Sequence, residues 1–362
     1  MTIELLPEVA KALAQGQGVV ALESTLICHG LPRPHNATVA DELEQAVRDQ
    51  GAVPATVAAI DGQVNVGLSR AALARLVKAP EVAKCTTRDL PRVLAGGELG
   101  ATTVAATVFI ASRVGIRVMA TGGLGGVHRG GEHSMDVSAD LEELARQRVV
   151  VVCSGVKSIL DQRRTLERLE TLGVPVIGYR CQELPGFYTA ETGLPVPSID
   201  DVSGICRMVC VHDALGLPGG LVVVQPPPPE DTLSKAAVDQ LVAAAQAAAA
   251  AAGVVGPAQT PFMLGHMAER SQGATVRVNR ALARANARLA GAIAAMLRGV
   301  PDPIRGRRPR KGLTAGARPM QGHRTNSWAP IAECPHPPRA RPRSESCSPR
   351  SKPSAEISSF SR

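Results

Sequence analysis

"RVVVVCSGVKSILD", residues 148–161, is the stretch on which the fold turns. Four consecutive valines and a cysteine leave no polar face, so a strand here must be covered on both sides. A Ser-Gly pair then ends the run and a helical pattern follows. The same grammar recurs along the chain. Short apolar runs stand at "GVVAL" 18–22, "TVAAI" 56–60, "NVGL" 65–68, "IRVMA" 116–120, "VPVIGY" 174–179 and "GLVVVQ" 220–225. Helical patterns lie between and beyond them, at 38–50, 70–78, 101–113, 138–147, 157–172, 202–215, 234–252 and 276–298. Alternation of this kind predicts α/β architecture, a three-layer α/β/α sandwich around a central, mostly parallel sheet. The "PPPP" run at 226–229 ends the last strand, because proline has no amide to donate to a ladder.

A chain of 362 residues can hold one large domain or two modest ones. Its net charge of +8 is unevenly spread: residues 301–362 carry 13 Lys/Arg against 4 Asp/Glu, leaving 1–300 at −1. The body therefore gives no bulk reason to expect nucleic acid. The segment 301–362 is rich in Pro, Arg and Ser, lacks a hydrophobic period and holds the only tryptophan, Trp328. Such composition predicts a disordered basic tail behind a folded domain at 1–300. The eight cysteines are scattered, and Cys206 with Cys210 lacks the second pair that a zinc site needs. Their apolar surroundings point to a reducing compartment, and the cytoplasm is expected. The start "MTIELLPEV" does not read as a secretory leader, and no stretch reads as a membrane span.

Three of the predicted strands end in residues able to do chemistry. "VVAL" runs into Glu23-Ser24-Thr25, "RVMA" into Thr121 and the loop "GGLGGVHRGG", and "VVVVC" into Ser154-Gly155-Val156-Lys157. Ligands of open α/β sheets bind beyond the carboxyl ends of strands, so neighbouring strands would bring these groups to one crevice. Glu23 reads as a general acid or as an ion-pair partner at the sheet end. The glycine loop, six glycines within 120–131, reads as a backbone cradle for an anion, aided by His128 or Arg129, or as a tight turn packed on a neighbour. Lys157, placed at a helix start, sits where the macrodipole disfavours a cation, which suits a neutral amine nucleophile. The bland alternative is a surface pair with Asp161. In "MDVSADLEELA", 135–145, Ser138 reads as an N-cap and Asp140 as a first-turn carboxylate, while Asp136 offers a hard oxygen to Mg²⁺ or Mn²⁺.

Taken together, "ALESTLICHGLPRPHN", "KCTTRDLP", "GATTVAAT", "ATGGLGGVHRG", "DVSADLEELA", "VVCSGVKSILD", "GVPVIGY", "GGLVVVQP" and "TPFMLGHMAE" resemble the pseudouridine-5'-phosphate glycosidases, also grouped as indigoidine-synthase-A-like proteins. The resemblance spans roughly residues 10–298. It implies reversible cleavage of pseudouridine 5'-phosphate to uracil and ribose 5-phosphate, with one Mn²⁺ per subunit and a homotrimer. It places a Schiff-base lysine on Lys157, a proton donor on Glu23 and the metal ligand on Asp136. Substrate contacts fall on Lys84, Val104, Ser138, Ala139 and Asp140, with Thr121, His128 and Asn286 as further pocket members. Cys28 departs from the serine expected in the Glu-Ser-Thr segment. The chemistry suits an amine: the base of pseudouridine is joined to ribose by carbon, so the paired-carboxylate scheme of ordinary glycosidases has no heteroatom to protonate. Two alternatives stand beside this reading, another Schiff-base lyase or aldolase acting on a sugar phosphate, and a catalytically silent sugar-phosphate-binding subunit.

Overall fold

The computed structural model describes residues 3–33 and 35–299; the predicted tail at 301–362, with Trp328, lies outside the described residues. Among the described residues the strands are β1 (Ile3–Leu5), β2 (Val19–Leu22), β3 (Val53–Ile60), β4 (Gln63–Val66), β5 (Ala83–Cys85), β6 (Gly100–Thr102), β7 (Val118–Ala120), β8 (Val127–His128), β9 (Val150–Cys153), β10 (Leu160–Asp161), β11 (Val176–Tyr179), β12 (Ser198–Ile199) and β13 (Leu221–Val224). Eleven of them form one sheet in the order β1-β4-β3-β2-β7-β9-β13-β11-β12, with β6 attached to β3 and β5 to β6. Every neighbour pair from β3 to β12 along that path is parallel. The antiparallel partners of β3, β4 and β6, make the sheet mixed at one side.

Every residue of β2, β3, β7, β9 and β13 is buried, as their unbroken apolar runs require. On one face, the helix Ala274–Met296 crosses β2, β7 and β9 and packs with the helices His35–Arg48 and Val202–Leu215. The helix Val104–Val114 lies on β2, β6 and β7 across the sheet, backed by the helix Ala139–Arg146. The expected three-layer sandwich is therefore present. No helix among the described residues is long and apolar enough to cross a membrane.

Two helices begin at least three residues later than the sequence reading places them, and the helix read at 38–50 begins three residues earlier, at His35. The pattern placed at 101–113 begins only at Val104, because Gly100–Thr102 is spent on β6 and Thr103 caps the helix, its side chain accepting from the Ala106 amide. The pattern placed at 157–172 begins at Gln162. There Asp161 is the N-cap, accepting from the Arg164 amide at 2.9 Å, while residues 160–161 pair with β8 in a small antiparallel ribbon. Lys157 thus sits in a loop and not on a helix end, so the macrodipole makes no contribution to its chemistry. Nor does it pair with Asp161, whose carboxylate is taken by Arg164.

The strand order sets the site. Leu22 of β2 lies beside Ala120 of β7, and Ala120 beside Val152 of β9. The three strands end level with one another. Beyond Leu22, β3 leaves β2 and takes β6 as its neighbour from Ala58 onward. Ser24 stitches that junction: its hydroxyl donates to the Val57 carbonyl (2.7 Å) and accepts from the Thr102 amide (2.8 Å). The splay opens room directly after Glu23.

Candidate active site

A cavity of about 470 Å³ opens at these strand ends. Its wall contains Glu23, Lys84, Val104, Thr121, His128, Asp136, Ser138, Ala139, Asp140 and Lys157. One expected pocket member is missing. Asn286 is fully buried beneath the cavity and does not line it.

Glu23 follows β2 and is only 7% exposed. Its carboxylate accepts a hydrogen bond from the Thr121 hydroxyl, so the end of β7 holds the end of β2. Burial pushes the Glu23 carboxyl above the usual range; the Lys157 charge and the Thr121 hydrogen bond oppose that shift without reversing it. Lys157 reaches in from the loop after β9, its Nζ donating to the Gly123 carbonyl at 2.5 Å. Lys84 enters from β5, and burial followed by the nearby Lys157 charge pushes it below the usual lysine range. Asp140 is buried and accepts from two amides, Ala105 at 2.9 Å and Gly125 at 2.8 Å. It thereby ties the helix Val104–Val114 to the glycine loop. Ser138 caps its own helix as expected, accepting from the Asp140 amide.

The glycine loop has a different job from the anion cradle read in the sequence. The amides of Leu124, Gly125, Val127 and His128 are already donated, to Gly155, Asp140, Thr165 and Asp136 respectively. Its glycines admit the protein's own side chains. A Cβ on Gly123 would stand 2.5 Å from the Phe187 ring. Phe187 itself is almost fully buried and holds φ at +69°, a conformation costing on the order of 1–3 kcal/mol for a bulky residue. Its amide donates to the Ser154 carbonyl at 3.0 Å, wedging the ring into the cavity wall under Gly123. Arg129 faces away from an anion role, donating to the Ser158 carbonyl at 3.3 Å.

A dedicated metal cage needs several ligating side chains to converge, and among the described residues no group of three or more His, Cys, Asp and Glu does so. Asp136 and His128 alone meet on the wall, Oδ2 to Nδ1 at 3.8 Å. That pair fits a hard divalent ion only in the mode in which one carboxylate anchors it and water and ligand oxygens supply the remaining shell.

Sequence reasoning missed Phe187, Asn279 and His29 among the lining residues. Phe187 lies in an irregular segment with no period to read. Asn279 is one polar residue on a long amphipathic helix. His29 ends the short helix Thr25–His29, four positions beyond the Glu-Ser-Thr triplet.

The fold and site define a class: an α/β sandwich protein whose cavity, at the ends of three adjacent parallel strands, holds a lysine amine beside a buried carboxyl. The chain belongs to the indigoidine synthase A-like family, whose model matches residues 8–296. It is 46% identical over 288 residues to the pseudouridine-5'-phosphate glycosidase of Glaesserella parasuis serovar 5 (strain SH0165), covering 79% of this chain and 95% of that protein. The protein of the same name from Roseiflexus sp. (strain RS-1) is 50% identical over 304 residues, 83% of this chain and 97% of its own. Among solved structures, the prealnumycin C-glycosynthase in complex with ribulose 5-phosphate superposes with a TM-score of 0.77 at 40% identity, over 83% of this chain and 98% of that one. An indigoidine synthase A-like protein from Thermotoga maritima gives 0.75 at 35% identity, over 82% and 97%.

Proposed function

We propose that this chain is a C-glycosidase that reversibly converts pseudouridine 5'-phosphate and water to uracil and ribose 5-phosphate. The observation that carries the reading is the meeting of Glu23 and Lys157 in one cavity, the first held toward its protonated form and the second an amine within the same wall. The names of the glycosidase relatives and of the C-glycosynthase neighbour support it.

Each residue has a step. Glu23 gives its proton to the ring oxygen of the ribose as the bond from that oxygen to C1' breaks. The Lys157 amine bonds to C1'. The ammonium so formed gives a proton to the Glu23 carboxylate, and the freed nitrogen electron pair makes the C=N bond of an iminium while the C1'–C5 pair departs with the base. Uracil accepts that pair as a delocalised carbanion and takes a proton at C5. Water adds to the iminium and expels the amine, freeing ribose 5-phosphate. Lys84 supplies positive charge to the phosphate, with Ser138 and the start of the helix Val104–Val114 beside it, and so fixes the far end of the sugar. Aliphatic walls from Leu26, Leu160 and Leu264 exclude water from the base. Asp136, with His128, would hold one Mn²⁺, which when bound supplies positive charge and ordered water to the polar end. The assembly we propose is a homotrimer working in the cytoplasm, and sedimentation would read the mass of three chains.

The test is synthesis in reverse. Uracil and ribose 5-phosphate incubated with the enzyme and Mn²⁺ should condense to pseudouridine 5'-phosphate, identified by its mass and its stability to acid. Consumption of ribose 5-phosphate without a nucleotide product would favour an aldolase or lyase on another sugar phosphate, and no change at all would favour a silent binding subunit.

A further inference from the structure

One buried amide joins the strand ends that carry both reacting groups. Asn286 lies in the helix Ala274–Met296, shielded from solvent and beneath the cavity floor. Its Nδ2 donates to the Thr121 carbonyl at 2.9 Å and to the Gly122 carbonyl at 3.3 Å. Its Oδ1 accepts from Gln225 Nε2 at 2.9 Å, and the Ser154 hydroxyl lies within 3.3 Å of the same amide. These partners follow β7, β13 and β9, so a single side chain spans three neighbouring strands. A primary amide offers two donors and two acceptor sites, and this one engages polar groups from all three strand ends at once.

The ties fall next to the chemistry. Thr121, whose carbonyl Asn286 holds, donates its hydroxyl to Glu23. Gly123, one peptide beyond the held Gly122 carbonyl, accepts from Lys157 Nζ. Ser154, the third strand's contact, also receives the Phe187 amide and donates its own to Gly122 at 2.9 Å. We infer that Asn286 is a positioning residue: by fixing the Thr121–Gly123 peptides it sets the distance between the acid and the amine without touching substrate. The inference rests on the C-glycosidase reading. An aspartate at 286 keeps an acceptor for Gln225 but turns a second one onto the Thr121 and Gly122 carbonyls, which must then move off. Misplacement of reacting groups by about 1 Å costs on the order of a hundredfold in rate.

The experiment compares wild type, Asn286→Asp and Asn286→Ser with Ile293→Ala, a buried core change about two turns further along the same helix. Thermal melts, the condensation assay and borohydride trapping of ribose 5-phosphate are run on each. At a temperature where all four are folded, the Asn286 variants should lose at least about tenfold in kcat and in trapping rate, with KM for ribose 5-phosphate changed less than about threefold. Ile293→Ala should melt earlier and keep its kcat. The serine variant, small and uncharged, carries the test should the aspartate not fold. Normal kcat in either folded Asn286 variant overturns the positioning role, as does a loss matched by Ile293→Ala. Wild type that makes no nucleotide overturns the glycosidase reading instead, so the two failures are told apart.

Discussion

At the scale of single residues, Glu23 is a carboxyl that folding drives toward its protonated form, because burial taxes the anion more than Lys157 and Thr121 repay. Its folded pKa lies above the unfolded one, so the native state binds this proton more tightly. The associated stability is present at low pH and is lost as pH rises from the unfolded value through the folded one. Two outcomes follow. The rate of cleavage should fall on the alkaline side as Glu23 gives up its proton, and Glu23→Gln should abolish that dependence while lowering kcat by roughly a hundredfold or more. The same variant should melt higher than wild type at alkaline pH, since it no longer buries a charge. A pH profile of kcat/KM with a denaturation series reads both; an unchanged profile in Glu23→Gln would remove the residue from proton transfer. Four of the cysteines stay protonated: burial pushes the Cys28, Cys85 and Cys153 thiols up to about 12 and Cys181 up to about 11. Cys28, where the family resemblance leads one to expect serine, packs against a small apolar cluster that includes Ile27 and Leu73, and it lies outside the wall of the candidate active-site cavity.

At the scale of elements, the segment after β9 shows what patterns reveal and conceal. The valine run gave its strand to within two residues at the start, because nothing but a doubly covered strand fits it. The next residues misled. "KSILDQRRTLERL" has helical spacing, yet the chain first makes a turn at Gly155 and a ribbon with β8, and the helix waits for the Asp161 cap. No local signal marks a two-residue strand whose partner is some thirty residues away. Lys84 was found by family likeness and not by pattern, since β5 is three residues long and mixes polar with apolar. Glu23 and Thr121 were legible because each ends an apolar run. Asn286 likewise came from family likeness, as a pocket member, and its place under the cavity depends on packing no period encodes. Gly155 supplies a test at this scale. Its φ is +81° and a Cβ there would stand 2.0 Å from the Pro185 carbonyl oxygen. Gly155→Ala should therefore destabilise the fold by about 3 kcal/mol or more and displace Lys157, two residues on. A urea midpoint shift of that size with lost turnover is expected; a neutral variant would mean the turn is not needed.

At the scale of the whole molecule, the site exists because β2, β7 and β9 are neighbours with level ends, and because β3 parts from β2 just where Glu23 begins. Residues far apart in sequence meet only through that strand order. Every residue given a step in the proposed reaction lies within 3–299, and the family match ends at 296. A chain stopped at residue 299 should therefore keep its kcat within about twofold, which direct comparison with the full chain checks. In the proposed reaction the Lys157 amine condenses with the aldehyde carbon of a pentose phosphate. Ribose 5-phosphate and the enzyme lose one water to form the imine, and borohydride reduces that C=N bond to a stable secondary amine. Peptide mass spectrometry of the trapped protein measures this most directly. One adduct per chain is expected, on the peptide carrying Lys157, and none in Lys157→Ala. An adduct on Lys84, or equal labelling of the alanine variant, would contradict it.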